Sequence, residues 1–521
     1  MSNEMMFKEL MLENFKGFSN KQSIELKPIT LIYGANSSGK SSILQSLLLL
    51  KQTLEQSNNK SVILLSKGKY IDLGNYNEFI NAHDTKKNLQ IKIKLPCFKT
   101  KFNRFSKNSE EIKNAHIEIV FSQQKTLEIE SYSLFVENEL FMTLTKTSDN
   151  IKTHRYFYFF PRSNEEVRKE NPNFEISEIN TNNKLYKKML DEIKKNFPMD
   201  LNKEEFTFTL GRNGTNDKNY QAYLDLKNII KDDLNQKLNT EILNYYKKFI
   251  YNFSNFLPYI SMIREDHTSI LDDLDLYLKK NFRLTNSLEV LFNITSNLIN
   301  DILDKMYYIG PLRKNPERYY ISSGNVSNYV GKTGLESPDI LYENENEILN
   351  TTNKWLKKFT NYVLKPTSST RNSKLTGKQN VYSLRLVDNV TKMNVNITDV
   401  GFGISQILPI IVQACKSKNS TILIEQPEIH VHPKLQAELG SMFAETCEDN
   451  MFIIETHSEN LLLRLKKLIR QGKLDKDNLS IIYVDKEERG SVCHQIRLDK
   501  NGDFIDKWPN GFFEESFEEL F

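Results

Sequence analysis

The stretch Gly34-Ala35-Asn36-Ser37-Ser38-Gly39-Lys40-Ser41 limits what this chain can fold into more than any other. It has the spacing G-x-x-x-x-G-K-S, in which glycines let backbone N–H groups close around phosphate oxygens and a following helix adds positive potential. Such a loop needs a strand before it and a helix after it. Residues 28–33 are a short apolar run rich in β-formers, and Ile43, Leu44, Leu47, Leu48, Leu50 and Leu54 follow at close to helical spacing as far as Gln56. On this reading Asn36, Ser37, Ser38, Gly39 and Ser42 line the phosphates of a nucleotide, Lys40 reaches the outer phosphates and Ser41 holds Mg²⁺.

Composition narrows the setting. The chain has 521 residues, enough for two or three domains. Lys and Arg number 70 against 67 Asp and Glu, so no global charge argues for nucleic acid or membrane, and any basic surface is local. Cys97, Cys415, Cys447 and Cys493 are far apart and form no C-x-x-C, which predicts buried thiols in a reducing compartment rather than disulfides or zinc. The first eight residues carry no secretory apolar core, and no run of eighteen apolar residues exists. The expectation is a cytoplasmic protein that does not span a membrane.

Along the chain, residues 1–160 read as an antiparallel β region around the phosphate loop, with strands near 6–12, 22–26, 89–95, 116–121, 127–136, 140–147 and 154–160. Residues 161–305 read as a largely helical insertion and a candidate partner-binding region. Helical periodicity is expected over 184–196, 220–251 and 287–306, with a small β excursion near 206–214. Its apolar pattern is broken too often for a long coiled coil. Residues 306–485 alternate strands and helices, as a parallel sheet with crossover helices does, with a polar loop or hinge at 367–379. Residues 486–521 form a tail. The fold class is α/β.

Chemistry gathers in the second half. Residues 421–424 are an apolar strand ending in Glu425-Gln426-Pro427-Glu428, and acids at the carboxyl end of a buried strand face the ligand crevice of an α/β sheet. Glu425 is placed to hold Mg²⁺ through water. The next strand ends at Glu455-Thr456-His457, with His457 poised to contact a γ-phosphate. Upstream, Gly401, Gly403, Ser405 and Gln406 form a Gly-rich turn that opens a helix, a second phosphate-type site. One nucleotide does not need two such sites in one chain. The economical arrangement is a homodimer, or a higher even oligomer, in which this turn caps ATP held by the other subunit.

With Glu13 to Phe18, the loop 34–41, the turn 401–406, residues 425–433 and Thr456-His457, the sequence resembles the ATP-binding-cassette ATPases. It is most similar to their SMC-like and overcoming-lysogenization-defect branch. Residues 308–313 and 508–513 resemble a subgroup of bacterial ATPases in that branch. The resemblance covers roughly 1–90 and 305–521. It implies an ATPase head split by the insertion, with Lys16 near the nucleotide. It also implies a general base directly after Glu425, where this chain has Gln426. An amide cannot accept a proton as a carboxylate does, so slow hydrolysis is expected, with Glu428 as the alternative base. About sixty residues follow His457, without the acidic cluster of a nuclease, so a nuclease or toxin effector is expected to be a separate protein. Similarity to stand-alone ATPases of the branch implies an anti-phage defence ATPase of the Septu kind. An SMC-like DNA-repair or DNA-tethering protein, an ATP-sensing scaffold with little turnover and a transporter subunit are the other classes. The last is disfavoured by about 360 residues between the loop and the Gly-rich turn.

Other clusters are read more plainly. His430 and His432 fit a turn at a dimer interface better than a metal site, and Arg313 sits equally well in a structural pair or near the nucleotide. Asp272, Asp273 and Asp275 read as a solvated face. DNA, as a further partner, rests on two basic stretches. One is Lys92, Lys94, Lys99, Lys101, Arg104 and Lys107 interleaved with Phe98, Phe102 and Phe105; the other is Arg464, Lys466, Lys467, Arg470 and Lys473. For both, solvated lysines are the preferred reading.

Overall fold

The computed structural model describes residues 6–57, 62–100, 109–146, 153–154, 174–188, 249–264, 285–322, 324, 327–343, 347–373 and 377–509. A six-stranded sheet carries the chemistry. Its members are β1 (Ile29–Gly34), β2 (Met306–Ile309), β3 (Ser420–Glu425), β4 (Asn450–Glu455), β5 (Leu479–Glu487) and β6 (Gly490–Gln495). The spatial order is β2-β3-β4-β1-β5-β6. All neighbours are parallel except β5 and β6, which form an antiparallel pair. β1 and β4 are buried at every position, as strands covered on both faces must be.

Alternation along these strands divides two cores. Ile32, Leu423, Met451, Ile453 and Ile482 face the helix α1 (Lys40–Gln56) and a ten-stranded antiparallel sheet. Leu31, Tyr33, Ile422, Ile424 and Ile454 face the opposite way. That side is covered by α2 (Phe402–Lys416), α3 (Pro433–Thr446) and α4 (Glu459–Arg470), through residues such as Ile411, Phe443 and Leu465. Helix α1 is buried over most of its length, because strands lie on more than one side of it.

In the ten-stranded sheet, Gln22–Glu25 is one edge, followed by Glu9–Glu13, Leu89–Lys94, Ala115–Gln123, Leu127–Val136 and Glu139–Lys146. Phe174–Ile179, Phe249–Ser254, Leu257–Arg264 and Thr153–His154 then continue it. The described residues of 161–305, read as largely helical, include both helices and strands. Residues 249–251 lie in a strand where a helix was expected, and three strands of this region extend the N-terminal sheet. Aromatic packing explains the choice: Phe174 meets Phe253 edge-on at 4.7 Å, and Tyr132 contacts Phe253 at 5.9 Å. Helix Thr285–Asp304 forms where periodicity predicts one, and 184–188 are helical. The excursion expected near 206–214 and Asp272, Asp273 and Asp275 lie outside the described residues.

The hinge expected at 367–379 is also corrected. Tyr362–Ser373 and Gly377–Asp388 are the arms of one long hairpin, paired as far as Ser373 with Gly377. Its polar composition concealed strands whose backbone groups satisfy one another. Two helices went unread, Ser337–Glu343 and Ile348–Phe359. The second shows its face plainly in buried Ile348, Leu349, Thr352, Trp355, Leu356 and Phe359. No described helix is long and apolar enough to cross a membrane.

Candidate functional site

The phosphate loop leaves β1 at Gly34, whose φ is +147° and whose absent Cβ would lie 2.2 Å from the Val484 carbonyl oxygen of β5. Gly39 caps α1 at φ +110° and Ser37 sits at φ 62°, so the loop turns where only small residues fit. Ala35, Asn36 and Ser37 are exposed, and Ser42 is buried. Ser38 is buried and its Oγ has no partner. Ser491 of β6 steadies the loop from outside by donating to the Ser38 carbonyl. Lys40 is 4% exposed, and its ammonium donates to the carbonyls of Gly34 (3.0 Å) and Ala35 (2.7 Å). Burial lowers its pKa, against the attraction of Glu455 and Glu428. A buried ammonium folded onto its own loop, beside exposed glycine-flanked amides, fits a triphosphate that would draw it outward.

Lys16 lies in the turn after the first strand, at φ 50°. Its ammonium donates to Gln45 of α1 at 2.7 Å, and Glu425 attracts it while burial lowers its pKa. Lys16 thus lies between α1 and Glu425 at the end of β3.

Two acids stand side by side at those ends. Glu425 of β3 and Glu455 of β4 are direct register partners on the sheet face that α1 covers, the helix that begins with Lys40 and Ser41. The Glu425 carboxylate accepts from the Tyr308 hydroxyl of β2 at 2.9 Å. Burial, with Glu455 adding to it, pushes its pKa up to about 7. Glu455 is 5% exposed and its Oε2 has no partner. Burial raises its pKa, and the Ser41 hydroxyl and Lys40 pull it back. Adjacent hard oxygen donors and an orphaned buried oxygen fit a divalent cation. Ser41 and Glu425 are the residues that would hold Mg²⁺, which supplies charge neutralisation on the phosphates when bound.

The chain turns sharply after Glu425. Gln426 has φ 45°, and its N–H donates to the Glu455 carbonyl at 2.7 Å. Arg313, 5% exposed, donates to the carbonyls of Glu425 and Gln426 (2.6 and 3.0 Å) and fixes this turn. Its desolvation lowers its pKa to about 10, against the pull of Glu428 and Glu425. The Glu428 carboxylate is committed on both oxygens. One accepts from the Thr456 hydroxyl and the other from the His457 N–H, each at 2.7 Å. His457 is partly buried, its Nε2 has no partner, and burial together with Lys40 lowers its pKa. Glu428 holds His457 in place through the backbone.

The Gly-rich turn sits elsewhere on the same loop system. Gly401 caps α2 without a side-chain hydrogen bond and is exposed, with nothing within 4 Å of an added Cβ. A Cβ at Gly403 would lie 3.2 Å from the His430 carbonyl, so this turn rests on the segment after Glu428. Ser405 is buried, and Gln406 is 2% exposed with its amide nitrogen unpartnered. His432 caps α3, its Nδ1 accepting from the Lys434 N–H, so it serves a turn, as the sequence suggested. Among the described residues no cluster of three metal-ligating side chains occurs. Four cations of the basic stretches are engaged within the chain. Lys92 pairs with Glu118, Arg464 with Glu438 and Arg470 with Asp503, and Lys466 lies 3.7 Å over the Phe504 ring. Lys101, Arg104 and Lys107 lie outside the described residues.

Reasoning from sequence passed over Glu455 as a functional residue, although it ends an apolar strand as Glu425 does. It left Arg313 undecided and gave Tyr308 no role, since neither lies near Glu425 along the chain.

Known proteins add a family and little more. No curated protein matches the chain. Among solved structures, an Smc head domain with an extended coiled coil, bound to the C-terminal domain of ScpA and derived from Pyrococcus furiosus, matches at 12% identity. The match covers 99% of this chain and 98% of that one, with a TM-score of 0.35. The SMC head domain from Thermotoga maritima matches at 8% identity over 95% and 100%, with a TM-score of 0.34. Likeness this distant adds nothing to the fold read from the sheets. Residues 474–521 match a family described as a protein of unknown function (DUF3696). Residues 5–462 match the AAA ATPase domain, and the chain belongs to that family.

Proposed function

We propose that this AAA-family ATPase is a slow, dimeric ATP-driven gate, each chain supplying half of two nucleotide sites. The observation that carries the reading is the loop Gly34–Ser41 beside the paired acids of β3 and β4, with Lys40 folded back onto the carbonyls of its own loop. Lys16, Asn36, Ser37, Ser38, Gly39, Lys40 and Ser42 bind the nucleotide, and Ser41 and Glu425 take Mg²⁺. His457 meets the γ-phosphate as a neutral donor. The catalytic work is electrostatic, with Lys40 and the N-terminus of α1 stabilising charge that spreads over the γ-phosphate.

Dimerisation draws support from α2. Its first turn has no side-chain cap, and Gly401 leaves its N–H groups open to an anion from outside the chain. Gly401, Gly403, Ser405 and Gln406 then close over ATP bound to the partner. Slow turnover follows from Gln426, which has no carboxylate and whose backbone is fixed by Arg313. The similarity to defence ATPases supports a role in anti-phage immunity, with the closed dimer holding or releasing a separate nuclease or toxin. DNA tethering is less favoured, because Lys92, Arg464, Lys466 and Arg470 are engaged internally. The test is phosphate release and solution mass measured together. ATP with Mg²⁺ is expected to double the 61.0 kDa protomer mass while turnover stays low. A monomer at saturating ATP overturns the dimeric reading, and no nucleotide binding overturns the whole.

A further inference from the structure

Four groups stand where the cation end of the site must lie, and one of them holds a buried oxygen without a partner. The Glu425 carboxylate has one oxygen committed to the Tyr308 hydroxyl at 2.9 Å. Gln426 is uncharged and turned at φ 45°. Both Glu428 oxygens are bonded to the segment that carries His457. Glu455, in contrast, is 5% exposed, and its Oε2 is the one buried carboxylate oxygen without a partner among the described residues. Leaving a charged oxygen buried and unsatisfied costs several kcal/mol in general, so such an atom in a folded protein points to an absent partner.

Position identifies that partner. β4 lies between β3 and β1, so Glu455 is nearer the phosphate loop than Glu425 is. Register puts Glu455 beside Glu425 on one side and Ile32 on the other, on the face covered by α1. The Ser41 hydroxyl interacts with its carboxyl directly. Glu425 lies one strand further out. A cation held by Ser41 therefore meets Glu455 before it meets Glu425.

We propose that Glu455 is a second acidic ligand of the nucleotide-bound divalent cation, acting with Ser41 and Glu425, directly or through one water. This rests on the nucleotide-site reading above and assigns the metal requirement chiefly to β4. Two carboxylates side by side favour a divalent cation between them and the phosphates, and disfavour a triphosphate that arrives without one. Metal-free nucleotide is thereby rejected, and the gate answers to ATP–Mg²⁺ rather than to ATP.

The test is a titration of a fluorescent ATP analogue against the full chain, first in EDTA and then over a range of Mg²⁺, with Mn²⁺ binding followed by electron paramagnetic resonance. Glu455→Gln keeps the shape of the side chain. It is expected to bind the analogue in EDTA at least as well as the parent, and to need roughly 10-fold or more higher Mg²⁺ for half-saturation. Its bound Mn²⁺ signal weakens in step. An unchanged Mg²⁺ requirement and an unchanged Mn²⁺ signal overturn the proposal. Should Glu455→Gln fail to fold, Glu455→Asp keeps the charge on a shorter stem. The proposal then expects a smaller rise in half-saturating Mg²⁺, and no rise overturns it. Lys40→Ala separates the two levels. If it leaves analogue binding intact, the nucleotide site itself is misplaced. If it abolishes binding while Glu455→Gln shifts nothing, only the role of Glu455 falls.

Discussion

At the scale of single residues, the segment after β3 separates roles that adjacency in sequence had merged. Gln426 occupies the position where the family has its base, and Glu428 is the alternative base. Glu428 instead spans two loops, bonding Thr456 and His457, so its removal acts through the position of His457. Glu428→Ala is expected to lose about 1–3 kcal/mol of stability, because two donors lose a charged acceptor. Turnover falls with it. Thr456→Val, which removes one of those bonds and no carboxylate, is expected to lower turnover in the same direction; a fully active Thr456→Val beside an inactive Glu428→Ala would make Glu428 the base. Gln426→Glu is expected to raise turnover, read as phosphate release at saturating ATP. The thiols give a separate check. Burial pushes Cys415 and Cys493 up to about 12 and Cys447 up to about 11, whereas Cys97 is exposed. At pH 8 these three thiols are almost wholly protonated and slow to react, and their thiolate fraction grows only as pH rises toward those values. Mass spectrometry after brief alkylation should find the label on Cys97 first.

At the scale of elements, the site depends on segments far apart in the chain. β1 pairs with β5 along the whole length of β1, and the Val484 carbonyl of β5 closes against Gly34. Beyond it, Trp508 packs edge-on against Tyr33, Tyr483 and Phe504 at 5.5–5.8 Å, and the Tyr33 hydroxyl donates to the Ser458 carbonyl beside His457. The C-terminal residues thus brace the phosphate-loop strand. Trp508→Ala is expected to cost about 3–5 kcal/mol, seen as a lower denaturation midpoint, with the loss of much near-ultraviolet aromatic signal. Little change would mean that the tail merely rests on the sheet. The loop, β1, α1 and the strands that deliver Glu425 and His457 were legible because their chemistry is local: glycines at fixed spacing, apolar runs and acids at strand ends. The strands at 174–179 and 249–264 were not legible, because they are decided by pairing and by contacts such as Phe174 with Phe253, which join distant positions. The long hairpin of 362–388 was missed for a related reason, since backbone pairing rather than an apolar pattern holds its polar arms. The committed oxygens of Glu428 and the spare oxygen of Glu455 depend on side-chain geometry, which no spacing rule conveys.

At the scale of the whole molecule, the proposed function gives the chain two phosphate-binding elements, the loop at 34–41 and the first turn of α2 at 401–406. The second rests on the loop that follows Glu428, so closing it over a partner's nucleotide would press on the same segment that positions His457. Assembly and chemistry are in this way coupled through a few residues. The central claim is that each nucleotide site is shared between chains, and mixing of two inactive variants tests it most directly. Lys40→Ala lacks a working loop, and Ser405→Arg blocks the turn that caps a partner. Each is expected to be inactive alone while retaining its fold. Mixed at equal concentration, half of the dimers pair unlike chains, and each such dimer has one intact composite site. ATP hydrolysis is then expected to recover to about a quarter of the parent rate. No recovery from folded, exchanging chains, or full activity in Ser405→Arg alone, would contradict the shared site.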